Sequence, residues 1–209
     1  MLATQKLYLK SILLNNIIFK FIKFHYDYFI WKKNNLNKYF IPQKIKEKFI
    51  LDYSIRNAIY VETGTYLGVT TNVIKKISSR VYTIEASKIL YENATKIFFK
   101  DKNITLLYGQ SPKWLKKILP KINGNINFFL DAHTVNNNKT ETYKNKEITL
   151  PLDNELRIIF KYIKNFKKFS IFIDDISLLG EKKIKKLISF CSHSKLRIKF
   201  YYNILKINN

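Results

Sequence analysis

Residues 60–68 read YVETGTYLG, from Tyr60 to Gly68. A hydrophobic run stops at an acid, Glu62, and two glycines follow four positions apart, Gly64 and Gly68. The chain has only 5 Gly in 209 residues, so two of them in one short stretch ask for a reason. Glycine permits backbone angles closed to other residues and lets a ligand approach the main chain. A strand before this loop and a helix after it would aim free N–H groups and the positive end of a helix dipole at a carboxylate or phosphate. Thr63, Thr65, Thr70 and Thr71 add hydroxyls, either for a ligand or as helix caps.

The pattern around the loop supports that setting. Short apolar strands are predicted over 58–61, 81–84, 104–108, 126–130 and 169–173. Helical periodicity falls between them, over 66–77, 87–99, 112–119, 152–164 and, last, 180–190, and 196–205 reads as a final strand or hairpin. Strands alternating with helices imply crossover units, hence an α/β fold with a mostly parallel sheet and helices on both faces. Glu62, Glu85, Asp131 and the pair Asp174/Asp175 each sit where an apolar strand ends. Ligands of open α/β sheets bind outside the carboxyl ends of the strands, so these acids are expected to share one rim. Glu85 lies at roughly the 20-residue distance at which an acid accepts bonds from ribose hydroxyls. The third glycine of a dinucleotide fingerprint is missing. A nucleoside ligand follows, whose other end is a pyrophosphate or an amino-acid carboxylate.

Composition narrows the class. A hydrophobic content of 46% and an aromatic content of 15% belong to a folded globular chain. Cys191 is the only cysteine, which excludes an internal disulfide framework and a cysteine-based zinc site, and suits a core or edge position. The formal charge of +23 has two readings, an anionic partner or the Lys/Asn/Ile drift of AT-rich coding. Residues 1–44 read as a basic amphipathic helical extension and 45–209 as the main domain. Over 5–32, Leu7, Leu14, Ile17, Ile18, Phe21 and Ile22 can share one face, with Lys6, Lys10, Asn16, Lys20 and Lys23 largely on the other. Tyr26, Tyr28 and Trp31 near the end suit a peripheral membrane contact. The alternatives are a helix packed on the main domain with its lysines in water, or a partner helix. No secretory leader is expected, and Ser11–Phe19 is far short of the roughly 20 apolar residues that span a bilayer.

Six segments together resemble a class I S-adenosylmethionine-dependent methyltransferase, closest to a bacterial subgroup associated with sugar and polysaccharide modification. They are VETGTYLG (61–68), VYTIEAS (81–87), LLYGQS (106–111), FFLDAHT (128–134), LPLDNEL (150–156) and IFIDDISLLG (171–180). The resemblance implies a Rossmann-like domain with S-adenosyl-L-methionine as cofactor. It places Glu62, Gly64 and Gly68, with Thr63 and Thr65 of the same loop, around the methionine part. It gives Glu85 the ribose, and Gln110 and Ser111 the adenine, where the subgroup usually shows Gly-Asp-Ser. Asp131 would stand at the sulfonium.

The rim then offers chemistry. His133, two residues beyond Asp131, is a candidate general base towards a sugar hydroxyl or a structural histidine. Asp131, Asp174 and Asp175 come from neighbouring strand ends and would repel unless a cation offsets them. The resemblance suggests Mg²⁺, which suits oxygen ligands; otherwise Asp174 and Asp175 cap the next helix. Glu155 orients His133 or the substrate, or is a solvated helix acid. His25 and His193 lie away from the rim and receive no chemistry. The segment 134–149 is where a substrate would be covered.

The leading expectation is O-methylation of a sugar or glycan hydroxyl, in the cytoplasm or at the inner face of the membrane. RNA methylation is the second reading, less favoured because the basic residues are spread through the chain. An oxidoreductase is disfavoured by the missing glycine. A non-catalytic nucleoside-binding protein on the same fold is the last. Domains of this class end in a two-stranded hairpin, and 195–207 is short for one, so a shortened or missing strand is expected.

Overall fold

A computed structural model describes residues 2–34, 41–131 and 151–209. His133, the segment 134–149 and most of the expected linker after Asn34 lie outside the described residues. The chain enters through two helices, α1 (Leu2–Asn15) and α2 (Ile17–Lys33), followed by α3 (Gln43–Tyr53). Then come β1 (Ala58–Thr63), α4 (Val69–Ile74), β2 (Ser78–Glu85), α5 (Lys88–Phe98) and β3 (Ile104–Tyr108). The second half runs α6 (Ser111–Ile118), β4 (Gly124–Leu130), α7 (Leu152–Tyr162), β5 (Phe166–Ile173), α8 (Glu181–His193), β6 (Arg197–Tyr201) and β7 (Ile204–Asn208).

The strands form one seven-stranded sheet in the order β3-β2-β1-β4-β5-β7-β6. The first five are parallel, and β7 enters antiparallel between β5 and β6. This is the Rossmann-like class I methyltransferase fold. Chain order reverses between β1 and β4, which makes their carboxyl ends the topological switch point where a ligand crevice opens.

Both faces of the sheet's centre are buried, so β1, β4 and β5 end in continuous apolar runs. Side chains alternate along each strand. Tyr60, Phe129 and Phe172 point to one face, against Phe49, Ile50 and Ile74 of α3 and α4. Val61, Phe128, Ile171 and Ile173 point to the other, against Leu115, Leu156, Ile159 and Cys191 of α6, α7 and α8.

Three expectations need correction. The final hairpin is complete, with two strands of five residues each. Tyr202 accepts a positive φ of 52° at a two-residue turn, a conformation that the sequence does not announce with glycine. The helix expected over 66–77 is only the six residues of α4, because Gly68 sits at φ 72° as its N-cap and a turn follows Ile74. The segment 5–32 is two helices. Asn16 stops the first and caps the second, its side chain accepting from the amides of Ile18 at 2.9 Å and Phe19 at 3.2 Å.

The orientation of α2 departs furthest. Ile18, Phe21 and Ile22 are exposed, while Lys20 and Lys23 turn inward. Lys20 reaches Glu47 of α3 at 3.5 Å, and Lys23 pairs with Asp27 at 2.5 Å. Trp31 is buried with its ring edge-on to Tyr202, so it is not a surface anchor. Helix α1 is joined to the rest of the fold too. Asn93 of α5 donates to Ser11 of α1 at 2.7 Å, with both side chains buried.

Candidate functional site

The first crossover builds the floor of the site. β1 delivers Glu62, which is fully buried, and its Oε2 accepts hydroxyls from Thr71 of α4 at 2.5 Å and Thr83 of β2 at 2.6 Å. Its Oε1 is buried without a hydrogen-bond partner. Burial raises the Glu62 pKa to about 8, against the two hydroxyls that favour its charged form. Thr65 is buried beside it in sequence and shares a 2.6 Å hydrogen bond with Thr83. Thr63 is fully buried, and its carbonyl accepts the Asp131 amide at 3.1 Å.

The loop's shape requires its glycines. Gly64 sits at φ 85° and Gly68 at φ 72°. A Cβ on Gly68 would lie 2.7 Å from the Phe98 ring, so α5 can close on the loop only over glycine. Tyr66 between them also takes a positive φ, 49°. Glu85 holds that turn, since its Oε2 accepts the Tyr66 amide at 2.8 Å and its Oε1 the Ser87 amide at 2.8 Å. Burial raises its pKa, and those backbone N–H groups pull it back. Glu85 therefore organises the loop, and each oxygen keeps a second lone pair for a ligand hydroxyl.

The third crossover brings Gln110 and Ser111 to the rim. Gln110 is exposed and precedes α6 without a side-chain cap. Ser111 is buried and donates to Glu155 of α7. Glu155 is itself fully buried, which rules out a solvated acid. Burial raises its pKa to about 7, with Ser111 and Thr63 opposing and Asp131 adding to the rise. The sequence did not mark Glu155 and Ser111 as partners, 44 residues apart.

At the switch point stand Asp131, Asp174 and Asp175. Asp174 is buried, and Lys46 of α3 reaches its Oδ2 at 2.7 Å. Burial first, then Asp131, raises its pKa to about 6, while Lys46 lowers it. Burial alone would depress the Lys46 ammonium, but Asp174 above all, with Asp175 and Asp131, holds its pKa above the ordinary value. Asp175 takes φ 48°, and its Oδ1 accepts from Asn203 in the hairpin turn at 2.9 Å. Lys46 is the functional residue that sequence reasoning missed. It lies 128 residues from Asp174 and inside an otherwise ordinary helix, so no local pattern signals it.

These residues do not fit a Mg²⁺ site. Lys46 occupies Asp174 Oδ2, the Asp175 amide occupies its Oδ1, and Asn203 occupies Asp175. Among the described residues no group of three or more His, Cys, Asp or Glu is placed to hold a metal ion. The Lys46 ammonium already pairs with the Asp174 carboxylate.

A cavity of about 670 Å³ opens over this floor. The loop from Gly64 to Thr70 lines one side, with Asp131 and Asp175 at the base. α2 and α3 roof it with Phe19, Lys20, Lys23, Phe24, Lys44 and Lys46. Lys44 lies 4.7 Å above the Phe24 ring, a cation–π contact that holds the roof's charge against its aromatic part. The floor is thus acidic, and the roof sets four lysines against two acids, Asp27 and Glu47.

The S-adenosylmethionine molecule carries cationic groups, a sulfonium and an ammonium. Like-charge repulsion from Asp131 adds to the raised pKa of both Glu62 and Glu155, and Glu62 keeps a buried oxygen unpartnered. The residues present fit such a ligand.

No protein-family model and no curated protein matches the chain. Solved structures do. The O-methyltransferase TomG from Streptomyces achromogenes, involved in tomaymycin synthesis and crystallised with SAM, superposes with a TM-score of 0.54 at 14% identity, over 85% of this chain and 84% of that one. Fibrillarin from Aeropyrum pernix, with natively bound S-adenosyl-L-methionine, gives 0.51 at 14% identity over 82% and 75%. An rRNA methylase from Streptococcus thermophilus gives 0.50 at 11% identity over 80% and 95%. The chain therefore has the fold that these S-adenosylmethionine-dependent methyltransferases share.

Proposed function

We propose that the protein is an S-adenosylmethionine-dependent methyltransferase that acts on a hydroxyl, most simply of a glycan or small sugar-bearing acceptor. The observation that carries this reading is the buried carboxylate cluster at the β1/β4 switch point, in a chain whose net charge is +23. Buried acids without enough counter-charge are costly unless a cationic ligand joins them. When bound, S-adenosylmethionine supplies an electrophilic methyl group on sulfur.

The chain's own residues position and deprotonate. Glu62 with Thr63, Gly64, Thr65 and Gly68 holds the amino-acid end. Glu85 takes the ribose, and Gln110 and Ser111 border the adenine. Asp131 faces the sulfonium. The acceptor lies in the cavity under α2 and α3, where Lys44 favours an anionic or polar group beside the reacting hydroxyl. Proton removal falls to Asp131 and His133. No metal takes part, since Lys46 already offsets the Asp174 charge. RNA is the alternative acceptor, favoured by the overall charge.

Calorimetric titration with S-adenosylmethionine, S-adenosylhomocysteine and NAD tests the cofactor. Micromolar binding of the first two is expected, weakened at least tenfold in Glu62→Gln. Binding of NAD in their place would overturn the reading. Incubation with labelled S-adenosylmethionine and separate lipid, glycan and RNA fractions then shows which class accepts the label. Label in RNA alone would replace the glycan assignment.

A further inference from the structure

Helix α2 faces two ways. At 100° per residue, Ile18, Phe19, Ile22, His25, Tyr26 and Phe29 fall on one face, and Lys33 follows them one turn on. Every one of these is exposed; Ile18 is 70%, Ile22 63%, Tyr26 67% and Phe29 65% accessible. The opposite face, with Lys20, Lys23 and Asp27, lines the cavity. Helix α1 adds exposed Leu9, Ile12 and Leu13. Ten of the nineteen exposed large hydrophobic side chains among the described residues lie between residues 9 and 29. Scattered apolar surface is ordinary, but a concentration of this kind marks a docking surface.

The surrounding charge identifies what it docks on. The exposed lysines of α1 and α2 are Lys6, Lys10, Lys32 and Lys33. The single acid between residues 5 and 34, Asp27, is buried and paired with Lys23. An apolar strip bordered only by cations matches the boundary of an anionic bilayer, where rings and aliphatic chains enter the acyl region and lysines meet phosphates. A second copy of the chain is a poor occupant, because pairing would bring two charges of +23 together. No helix among the described residues is long and apolar enough to cross a membrane, so the contact is with its surface.

We propose that the outward face of α2 is a docking surface for an anionic lipid bilayer. On the methyltransferase reading above, which this extension rests on for its chemistry, α2 then separates the bilayer from the acceptor cavity. Phe19 and Phe21 are both exposed and part of the cavity wall, so the cavity's margin reaches the docked face. The acceptor is accordingly an amphiphile held in that bilayer, its polar head passing under α2 towards Asp131.

Flotation of the full chain with vesicles is the test. Vesicles of phosphatidylcholine with 30% phosphatidylglycerol, on the order of a typical anionic leaflet, are compared with phosphatidylcholine alone. Binding at least tenfold tighter to the anionic vesicles is expected, falling as salt rises. The double variant Ile22→Glu/Phe29→Glu should lose at least tenfold of it, with an unchanged circular dichroism spectrum. Equal binding by that variant would overturn the proposal, because charge alone would then suffice. So would failure of the wild type to float, or a dimer in sedimentation that the variant dissociates. Cofactor titration is run on the same samples. Flotation without S-adenosylmethionine binding removes the methyltransferase reading and leaves the docking surface standing.

Discussion

Helices α5 and α2 are written in similar letters and bury opposite kinds of residue. In α5, Leu90, Ala94 and Phe98 go inward, and Lys88, Glu92 and Lys96 stay in water. In α2, Ile18, Ile22 and Phe29 stay outside, and Lys20, Lys23 and Asp27 go inward. The difference lies beneath the helices. α5 packs on β2 and β3, and the burial of its Leu90, Ala94 and Phe98 there follows the hydrophobic effect. α2 covers a cavity whose wall mixes charged and apolar groups, and each inward lysine gains a charged neighbour, Lys20 with Glu47 and Lys23 with Asp27. Periodicity establishes that a helix has two faces. It does not establish which face the neighbourhood will take.

Paired truncations would break that comparison most directly. Leu90→Ala should cost about 3 kcal/mol by removing buried methyl groups and leaving a cavity. Ile22→Ala, the smaller change at an exposed site, should stay within about 0.5 kcal/mol. Urea denaturation of each variant measures both. Equal losses would mean that α2 buries its apolar face, and the docking surface would fall with it.

The inward basic face has its own test. Lys46→Met should cost about 3 kcal/mol at pH 8, because Asp174 would be left buried without its partner. The sign with pH follows from Asp174. Its folded pKa, about 6, lies above the ordinary 3.8, so the folded state binds the proton more tightly. Stability from that group is present below pH 4 and is lost as pH rises towards 6. Without Lys46 the folded pKa rises further, so the gap between variant and wild type should close as pH falls to about 5. Thermal midpoints at pH 5 and pH 8 measure it. A gap independent of pH would show that Lys46 acts by packing alone.

These two regions also mark what the sequence could disclose. The central strands β1, β4 and β5 were legible because their carboxyl halves are buried on both faces and read as apolar runs, as IYVE and NFFLD do. The acids at their carboxyl ends were legible for the same reason, since the run stops where burial stops. The direction of α2 was not, because it depends on Glu47, 27 residues away from Lys20. The Lys46–Asp174 pair was not, because no pattern links one lysine among many to an acid across the fold. The bond from Ser111 to Glu155 was not legible either, because it is set by how α6 and α7 pack. The final segment was left between a strand and a hairpin because Tyr202 takes a turn conformation that favours glycine.

The glycine loop sharpens the comparison from the α5 side. Gly68→Ala places a Cβ at a positive φ and against the Phe98 ring, in the inward row of α5. The backbone strain alone is about 1–2 kcal/mol, and displacement of Phe98 adds to it. A loss of about 2 kcal/mol is expected in urea, together with weaker S-adenosylmethionine binding. Phe98→Leu in the same chain should restore part of both, because it removes the atoms that the new Cβ meets. Failure of that rescue would leave strain as the whole cause.

The smallest effect belongs to the joint between α1 and α2. Asn16→Ala removes the acceptor for the Ile18 and Phe19 amides and should cost about 1 kcal/mol. Its consequence is local, because Asn16 sits at the start of the helix that roofs the cavity and touches none of the carboxylates below. Global unfolding should shift little if α1 and α2 open before the sheet does. Amide exchange at Phe19 to Lys23 should then accelerate about fivefold, the same loss expressed as a rate, while exchange in β1 and β4 stays unchanged. Acceleration in the strands as well would mean that the roof and the sheet unfold as one unit, and that the inward lysines of α2 are as much a part of the core as the leucines of α5.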